Sequence, residues 1–453
     1  MKIDILIAEI GSTTTVVNAF NLNPCPSFLG QGQAPTTVEE GDVNIGLESA
    51  IFQLAKNLGT NNIEYDEILA TSSAAGGLRM TVHGLVYDMT VKAAKEAALG
   101  AGANIKYITA GKLRKSDLKK IKEINPNIIL IAGGVDYGER DTALYNSELI
   151  ASLELNIPVI YAGNIENQQE VEEIFSDKKS QLYIVENVYP KIDELNIEPT
   201  REIIQKVFEE HIIHGPGMEK LKDMITGPIM PTPGAVMEAS KLLYEYIGDL
   251  MTIDVGGATT DVHSVTPGSD EINRILINPE PLAKRTVEGD LGVYVNMHNI
   301  VDMVGKEDLA KELNISMEEL NELIENYKPI PEERLEKYFV ERLALHGAIV
   351  ATKRHAGRLR YLYGPGGKKT VAEGKDLTMV KTIIGTGGPL TQLPNRIDIL
   401  RQIPLSNKGH ELLPNNEVNI LIDSRYIMAS LGVMSKKYPH EALELLKLSL
   451  EIE

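Results

Sequence analysis

Short apolar runs, each bounded by glycine, proline or small polar residues, recur along this chain. Near its N-terminus the run 5–8 leads through Glu9 and a Gly-Ser-Thr segment to a second run of β-branched residues. This order predicts a strand, a tight turn and a second strand. The order recurs 245 residues later, where Asp254 matches Glu9 and Gly256 matches Gly11. The pattern therefore predicts one β-hairpin that is present twice.

Strand and helix patterns alternate between the two copies. Three apolar runs between 127 and 187 predict buried strands, and the periodic stretches 141–154 and 167–177 predict the helices between them. Such alternation is typical of a parallel α/β layer, whose loops gather at the carboxyl ends of the strands. Asp136 follows the first of these runs, which is a position where such layers bind ligands. The ligand is left open.

Other segments show helical or extended patterns. Pro24, Pro26 and Pro35 mark a loop or a third strand after the first hairpin, and a strand with a Gly-Thr-Gly-Gly turn is expected at 380–390. Helical periodicity predicts further helices, and a polar, charged helical region follows the second hairpin. These helical segments are 43–58, 90–101, 116–123, 232–243, 306–346 and 424–436.

Composition narrows the class of protein. With 453 residues, 43% of them hydrophobic and 24% charged, the chain is expected to fold into two or more globular domains. The net charge of −19 argues against nucleic acid or an anionic membrane as the main partner, but a cleft of backbone donors and Mg²⁺ could still take ATP. The single cysteine excludes a disulfide framework and an all-cysteine metal or iron–sulfur site within one chain. No apolar stretch approaches the roughly 20 residues of a membrane span, and the N-terminus resembles a strand and not a signal peptide, so a cytoplasmic protein is expected.

The two hairpins carry chemistry suited to phosphate. A tip of glycine and hydroxyl residues can turn several backbone N–H groups toward a phosphate with no side chain in the way. The acids Glu9 and Asp254, at the ends of the first strands, can hold Mg²⁺, usually through water. A single copy could be an ordinary hairpin, but two copies in register are expected to clamp a nucleoside triphosphate. The expected phosphate contacts are Gly11, Ser12, Thr13, Thr14, Gly256, Gly257, Ala258, Thr259 and Thr260.

The order of these elements resembles the ATPase superfamily of actin, Hsp70 and the sugar kinases. The five matching segments resemble its phosphate-1, connect-1, phosphate-2, adenosine and connect-2 motifs, at 5–17, 232–243, 250–262, 383–390 and 423–434. The resemblance implies an α/β fold of two ribonuclease-H-like domains, hinged by the connect helices, with the nucleotide in the cleft between them. The implied domains are 1–247, with an α/β insertion at about 105–200, then 248–422, and C-terminal connecting helices over 423–453.

Within that superfamily the chain is similar to the glutamate mutase accessory proteins called MutL or GlmL, which are distinct from the mismatch-repair protein of the same name. The similar stretches are 72–80, 97–103, 131–136, 284–292, 354–360 and 384–391. The resemblance implies an ATP-dependent partner of an adenosylcobalamin-dependent mutase or aminomutase, which opens the mutase so that damaged cobalamin leaves. It leaves the client mutase and the oligomeric state open.

The resemblance also implies roles for particular residues, with ATP or ADP and Mg²⁺ as cofactors. Asp254 would belong to the Mg²⁺ shell, and Asp261 would orient the attacking water or hold a second cation. Lys284 and Arg285 resemble a helix that lies over adenine, where a guanidinium can stack on the base. The turn that approaches the ribose and adenine would consist of Gly385, Thr386, Gly387 and Gly388.

Two departures from the family pattern predict slow ATP hydrolysis. Glu9 stands where relatives usually carry aspartate, and Val16 stands where many carry a lysine that could touch the β- and γ-phosphates. Two other functions remain open. One is a small-molecule enzyme on the same fold, either a kinase or a member of the hydantoinase and oxoprolinase group, which the segment 254–261 also resembles. The other is a filament or scaffold protein, which only the fold supports.

Overall fold

The computed structural model describes residues 1–452 except 12–13, 39, 74–77, 212–216, 219, 222–223, 329 and 365–366. The chain divides into two compact units. The first unit comprises Met1–Ala239 and Ala429–Leu445, and the second comprises Ser240–Met428 and Leu446–Glu453.

The secondary structure alternates between strands and helices over most of the chain. The strands are β1 (Lys2–Ile10), β2 (Thr14–Asn21), β3 (Ser27–Pro35), β4 (Glu64–Ser72), β5 (Arg79–Gly84), β6 (Asn104–Ala110), β7 (Ile128–Ile131), β8 (Val159–Tyr161), β9 (Leu182–Ile184), β10 (Ile229–Pro231), β11 (Leu250–Val255), β12 (Thr260–Val265), β13 (Ala283–Glu288), β14 (Arg358–Gly364), β15 (Gly367–Glu373), β16 (Thr382–Thr386) and β17 (Asn419–Ile422). The helices are α1 (Val43–Asn57), α2 (Lys92–Gly100), α3 (Lys115–Ile124), α4 (Asp141–Ala151), α5 (Gln168–Phe175), α6 (Glu198–His211), α7 (Thr232–Ile247), α8 (Asp270–Asn273), α9 (Met297–Val304), α10 (Lys306–Leu313), α11 (Met317–Glu325), α12 (Arg334–His355), α13 (Gly388–Gln392), α14 (Arg396–Leu405), α15 (Met428–Met434) and α16 (Pro439–Leu450). A π-helical turn, Tyr87–Val91, precedes α2, and a 3₁₀ turn, Ile165–Asn167, precedes α5.

The main sheet of the first unit has the strand order β10-β4-β1-β2-β3. Strands β1, β2 and β3 form an antiparallel meander, while β4 runs parallel to β1 and β10 runs parallel to β4. β1 is the central strand, and both faces of its apolar run are covered, so Ile5, Leu6 and Ile7 are all buried. A strand covered on both faces reads as a continuous hydrophobic run, which explains why its sequence does not alternate.

The main sheet of the second unit repeats this arrangement. Its order is β13-β12-β11-β16-β17, with β11, β12 and β13 antiparallel, and β16 and β17 parallel to β11. In both sheets the first three strands form the meander and the next two extend it on the other side of the first strand. This is the ribonuclease-H-like order, present twice. The predicted α/β fold of the actin-like ATPase type is therefore confirmed, as is the duplicated hairpin.

A third sheet lies within the first unit and is entirely parallel, in the order β6-β5-β7-β8-β9. It confirms the predicted parallel α/β layer. It begins at β5, which the sequence pattern did not single out. Asp136 follows β7, and its carboxylate accepts hydrogen bonds from the N–H of Ile165 at 3.0 Å and the amide of Asn187 at 2.9 Å. In this structure Asp136 therefore ties together the loops at the carboxyl edge of the sheet.

Several elements differ from the sequence-based expectation. Lys284 and Arg285, which resemble a helix over adenine in related ATPases, lie on strand β13. The helix expected at 424–436 covers only Met428–Met434. The pattern also did not single out α6, α14 or the β14–β15 hairpin, whereas α16 lies within the C-terminal connecting helices that the resemblance implied over 423–453. Among the described residues no helix is long and apolar enough to cross a bilayer.

Candidate functional site

The two duplicated hairpins are closed by the same backbone hydrogen bond. The Gly11 N–H donates to the Thr14 carbonyl at 3.0 Å, and the Gly256 N–H donates to the Thr259 carbonyl at 2.9 Å. The flanking strands agree as well, since Ile10 pairs with Thr15 in the first hairpin, as Val255 pairs with Thr260 in the second. The sequence repeat is therefore also a structural repeat. Two of the expected phosphate contacts, Ser12 and Thr13, lie outside the described residues.

The tip of the second hairpin is held through its carbonyl groups by the segment 293–296. The Gly256 carbonyl accepts a hydrogen bond from the Val293 N–H at 3.1 Å, and the Gly257 carbonyl accepts hydrogen bonds from the next two N–H groups, both at 2.8 Å. The Asn296 amide donates to the Ala258 carbonyl at 2.8 Å. With its carbonyl groups fixed on one side, the tip has a defined orientation.

The amide groups of the same tip point elsewhere. The backbone N–H groups of Gly257, Ala258 and Thr259 donate to no acceptor within the described part of the chain. Gly257 and Ala258 are also exposed. Successive unpaired N–H groups in a turn form a concave site that favours an anion. This turn has the donors that the sequence predicted for phosphate binding.

A carboxylate lies at the end of the strand that leads into this tip. Asp254, on β11, pairs directly with Asp261 on β12, so both carboxylates belong to one face of the hairpin. Gly387 approaches Asp254 closely, because a Cβ atom built on Gly387 would lie 2.5 Å from Asp254 Oδ1. Gly387 also has a φ of +87°, which an L side chain disfavours. Only glycine therefore allows the turn after β16 to lie against this carboxylate.

Asp261 is buried and paired with Arg285. Asp261 Oδ1 accepts hydrogen bonds from Arg285 Nε at 2.8 Å and from a terminal guanidinium nitrogen at 2.5 Å, and Thr259 donates its hydroxyl proton to Oδ2 at 2.9 Å. Lys284 forms a second buried ion pair, with Glu280 at 2.6 Å. Because both cations are buried on a strand, neither has the exposed, helical placement that was expected for stacking on adenine.

The turn after β16 divides into a packing part and an open part. A Cβ atom on Gly385 would lie 2.8 Å from Leu400 Cδ1, so Gly385 serves the packing of the core. A Cβ atom on Gly388 would meet nothing within 4 Å. Of the predicted adenosine-turn glycines, Gly388 thus lies where backbone could approach a ligand, whereas Gly385 packs in the core and Gly387 is buried against Asp254.

Asp423 was not singled out as a site residue, yet it organises this part of the second unit. Its buried carboxylate accepts hydrogen bonds from the Thr386 hydroxyl at 3.0 Å, the Ser449 hydroxyl at 2.6 Å and the Met428 N–H at 2.9 Å. It therefore connects the adenosine turn, the C-terminal helix and the start of α15. The signal in the sequence was an acid directly after the apolar run 420–422.

In the first unit, the Glu9 carboxylate accepts hydrogen bonds from a residue of helix α15. Its Oε1 accepts hydrogen bonds from the Ser430 hydroxyl at 2.6 Å and the Ser430 N–H at 3.1 Å, and a longer one from the Asn18 amide at 3.4 Å. The Asn18 amide also donates to the Ser430 hydroxyl at 2.9 Å. Ser430 and Asn18 are thus further residues that sequence reasoning missed. Val16 lies opposite Glu9 in the ladder, at the position that matches Asp261.

The buried histidine next to the second hairpin has a structural role. His355 lies between two strands, with Nε2 at 2.8 Å from the Ser264 hydroxyl and Nδ1 at 2.9 Å from the Thr286 hydroxyl. Burial holds the pKa of His355 well below the usual histidine range. A neutral imidazole that bonds two hydroxyl groups joins α12 to strands β12 and β13.

The acids of the site suit a hydrated Mg²⁺ better than a dehydrated metal. In the described part of the chain, no group of three or more His, Cys, Asp or Glu residues could hold a metal ion directly. Asp254 is half-buried beside the exposed amides of the hairpin tip, so its carboxylate fits a Mg²⁺ that keeps several of its waters. Glu9 is held by Ser430 in this structure.

Comparison with known proteins gives a family and several structural likenesses. A family model described as "MutL protein" matches residues 5–450. Protein MutL of Clostridium tetanomorphum is 36% identical over 455 residues, which cover 98% of this chain and 98% of that protein. The nucleotide-free structure of acetone carboxylase is similar over 96% of this chain and 70% of that chain, with 13% identity and a TM-score of 0.41. The nucleotide-free structure of diol dehydratase-reactivating factor is similar over 95% and 99%, with 11% identity and a TM-score of 0.38. These two structural likenesses are too weak to support an argument about function.

Proposed function

This chain belongs to the MutL family, and on that premise we propose that it is an ATP-dependent reactivating factor for an adenosylcobalamin-dependent mutase or aminomutase of the glutamate mutase type. The proposal has two parts: that the chain binds ATP or ADP, and that the nucleotide drives the exchange of damaged cobalamin in a client enzyme. The first part is supported by the geometry of the second unit, and the second by the family.

The backbone amides at 257–259, which have no acceptor within the described chain, are the observation that supports the nucleotide-binding part. Three successive N–H groups with no acceptor in the described chain, oriented by carbonyl groups that are already bonded, suit the β- or γ-phosphate of a nucleotide. Asp254 would hold a bound Mg²⁺ through water, and the ion would neutralise phosphate charge. Gly388 would let backbone approach the nucleoside. The first hairpin repeats the closing hydrogen bond and is proposed to contact phosphate through Gly11 and Thr14, together with Ser12 and Thr13.

Side chains of both hairpins support slow hydrolysis. Arg285 is bound to Asp261 inside the sheet, so its charge is not directed at the hairpin tip. Val16 supplies no charge at the position where relatives carry lysine. Fewer cations near the developing phosphoryl charge mean less stabilisation of the transition state. We propose that Asp261 helps to orient water through the tip, to which Thr259 connects it, and that turnover is low.

Slow turnover fits a protein that acts on another protein. A ligand shifts a conformational equilibrium only by binding one state more tightly than the other. A reactivating factor must therefore have ATP-bound and ADP-bound states that differ in affinity for the client mutase. Long-lived nucleotide states would give the factor time to find an inactivated client and release its cobalamin.

The proposal is tested by reactivation of inactivated enzyme. Each adenosylcobalamin-dependent mutase of the source organism would be inactivated by turnover and incubated with this protein, ATP, Mg²⁺ and free adenosylcobalamin. We expect one of them to regain activity only when ATP is present, and to release its damaged cobalamin at the same time. A nucleotide-binding variant should fail in the same assay. If no mutase is reactivated by protein that binds ATP normally, the reactivating role is wrong and the ATPase fold serves another purpose.

A further inference from the structure

Strands β14 and β15 form a two-stranded sheet of their own in the second unit, and its base is fixed on both sides. On one side the Leu359 N–H donates to the His410 carbonyl at 2.9 Å. On the other, the Ala372 N–H donates to the Ile275 carbonyl at 2.8 Å, and the Ile277 N–H donates to the Ala372 carbonyl at 2.9 Å. The base therefore holds the ribbon in a defined direction.

The backbone segments at two glycines come into close contact at this base. A Cβ atom on Gly357 would lie 2.6 Å from the carbonyl carbon of Gly374, and Gly374 itself has a φ of +89°. The backbone segments before β14 and after β15 are thus in direct contact. Such an approach requires glycine and leaves little freedom for the ribbon to pivot.

The distal half of the ribbon exposes large side chains on both faces. Tyr361 and Tyr363 lie on one face and are 41% and 79% exposed, and Leu362, on the other face, is 47% exposed. A two-stranded hairpin gains little stability of its own in water, and exposed aromatic rings add none. Clustered exposed rings and aliphatic groups on a fixed element are typical of a protein interaction site.

The ribbon is basic in an acidic protein. Its strands carry four basic residues and one acid, Glu373, whereas the chain as a whole has a net charge of −19. Arg360 binds Glu373 at 2.7 Å, and the Lys368 ammonium lies 3.4 Å from the centre of the Tyr361 ring. Within the described residues, neither Lys368 nor Lys369 has a carboxylate within ion-pair distance. These two lysines are therefore positive charges near the tip that no carboxylate of the described chain balances.

We propose that the distal half of this ribbon, defined by Arg360, Tyr361, Leu362, Tyr363, Lys368 and Lys369, is the docking element for an acidic surface of the client protein. In naming the client, this inference rests on the proposed function. The lysines would pair with carboxylates of the partner, and the tyrosines would supply buried anchors, a role in which tyrosine is enriched at interfaces. Each face of the ribbon offers both kinds of contact, since Lys368 shares a face with the tyrosines and Lys369 shares a face with Leu362.

The charge of the whole chain favours a protein over a longer polyanion as the occupant. A duplex of nucleic acid or an anionic membrane presents negative charge well beyond the ribbon, and the acidic remainder of this chain would repel it. An acidic patch confined to a small part of a folded protein could contact the ribbon without bringing further negative charge close to the acidic remainder of this chain. The short reach of charge interactions at physiological salt, about 8 Å, limits repulsion from more distant parts of such a partner.

The first test uses the full-length protein and model polyanions at physiological salt. The probes are a glutamate–tyrosine copolymer, polyglutamate, a DNA duplex and vesicles that contain phosphatidylserine. The variants are Lys368→Glu/Lys369→Glu and Tyr361→Ser/Tyr363→Ser, and Lys306→Glu/Lys311→Glu on α10 is the control with the same change of charge. We expect the wild type to prefer the copolymer, and each ribbon variant to lose about tenfold in affinity, which corresponds to ~1.4 kcal/mol. The control should bind like the wild type.

Three outcomes would overturn the proposal. Tighter binding to DNA or vesicles than to the copolymer would mark a general polyanion site. Concentration-dependent self-association of the wild type that both ribbon variants abolish would mark a second copy of this chain as the occupant. Unchanged copolymer binding in both variants, with far-ultraviolet circular dichroism like that of the wild type, would leave the ribbon without the proposed role.

A second test separates this inference from the proposed function. Both ribbon variants should bind ATP and hydrolyse it at the basal rate of the wild type, yet fail to reactivate the client mutase. If the wild type and the variants reactivate equally well, the docking role is wrong and the reactivating function stands. If the wild type reactivates no mutase, the function falls, and the copolymer measurement alone decides whether the ribbon binds acidic polypeptide.

Discussion

The carboxylate of Glu9 accepts a 2.6 Å hydrogen bond from the hydroxyl of Ser430, although the two residues are 421 positions apart in the chain. The Ser430 N–H donates to the same oxygen at 3.1 Å, so the Glu9 carboxylate is bound to the first turn of helix α15. Asp254 occupies the matching position of the second hairpin, and there the turn at Gly387 lies against the carboxylate. The duplicated hairpins therefore use their acids differently: one holds a helix, and the other lies beside exposed amides.

Shortening Glu9 should separate the first hairpin from α15. In Glu9→Asp the carboxylate retreats by one methylene and loses Ser430, so we expect a loss of about 1.5–3 kcal/mol in the free energy of unfolding, as for a hydrogen bond to a charged group. Urea denaturation of wild type, Glu9→Asp, Ser430→Ala and the double variant measures it. The two single changes should be less than additive, because they remove the same contact. Strict additivity would show that Glu9 and Ser430 stabilise the unit independently.

Blocking the exposed amides of the second hairpin should abolish nucleotide binding without unfolding the protein. In Gly257→Val the new side chain would meet only Tyr294, at an ordinary 3.4 Å from the Cβ position, so the fold should persist. Its branches would cover the space that a phosphate needs. Gly289→Val is the matched control, since Gly289 is an exposed glycine of the same unit with nothing within 4 Å of its Cβ position. Calorimetry with Mg-ATP should show binding by wild type and control only, and equal affinity in all three would contradict the phosphate assignment.

Removing the charge of Asp254 should weaken Mg²⁺ dependence and ATP turnover together. Asp254→Asn keeps the shape of the side chain but loses the negative charge that would hold a hydrated Mg²⁺. Phosphate release measured against Mg²⁺ concentration should show a higher requirement and a lower plateau. The wild type alone should turn over well below the ~1–100 s⁻¹ of kinases. A rate in the kinase range without any partner protein would instead favour the small-molecule enzyme.

Stability should fall as the pH decreases from neutrality, in part because of His83. This residue is buried on β5 and bonds the hydroxyls of Thr109 and Thr81 at 2.8 and 3.0 Å. Burial lowers its pKa to about 4, while in the unfolded chain it protonates near the usual value of 6.5. Between these values the unfolded state binds more protons, so the contribution is fully present above pH 6.5 and is lost as the pH falls toward 4. Its size is up to about 3 kcal/mol.

The matched variant for this prediction is His83→Gln, which keeps a polar side chain but does not titrate. Urea midpoints of wild type and variant would be compared from pH 7 to pH 4.5. The wild type should lose stability more steeply, and the variant should keep the part of the slope that comes from His263 and His355, whose pKa values burial also lowers. Parallel slopes would mean that the pKa of His83 in the folded protein is not lowered from its value in the unfolded chain.

The duplicated hairpins could be predicted because their signal is local. An apolar run, an acid and a glycine turn fix both the strand register and the Gly–Thr hydrogen bond at each tip. The placement of Arg285 could not be predicted in that way. The resemblance implied a helix for Lys284 and Arg285, but both are buried on β13, where Glu280 and Asp261 neutralise their charges. Glu280 is close to Lys284 in sequence, whereas Asp261 is placed beside Arg285 only by the folded sheet.

The contacts of Glu9 and the basic ribbon show two other reasons why parts of the structure could not be predicted from the sequence. The Glu9–Ser430 bond joins the two ends of the chain, and no local pattern connects them. The ribbon did leave a signal, since Arg358–Gly364 begins Arg-Leu-Arg, continues with large apolar and aromatic residues, and is followed in sequence by Pro-Gly-Gly. Large β-forming residues before a Pro-Gly segment are typical of a strand that leads into a turn. It was obscured because the strand follows directly on the long helix α12, which ends at His355.

Gly432 should be required for the packing of α15 in the first unit. A Cβ atom at this position would overlap the carbonyl oxygen of Ala235 on α7, so the two helices meet backbone to backbone. In an exposed helix, replacing glycine by alanine stabilises by about 1 kcal/mol, because alanine has the higher helix propensity. Here we expect Gly432→Ala to destabilise by ~1–3 kcal/mol, since the added methyl group forces the helices apart.

The sign of the change in urea midpoint therefore decides whether Gly432 is confined between the helices. Gly289→Ala is the control for an unconfined glycine of the chain. A Gly432→Ala protein that is more stable than the wild type would show that α15 does not pack on α7 as described, and would remove the constraint that places Ser430 on Glu9.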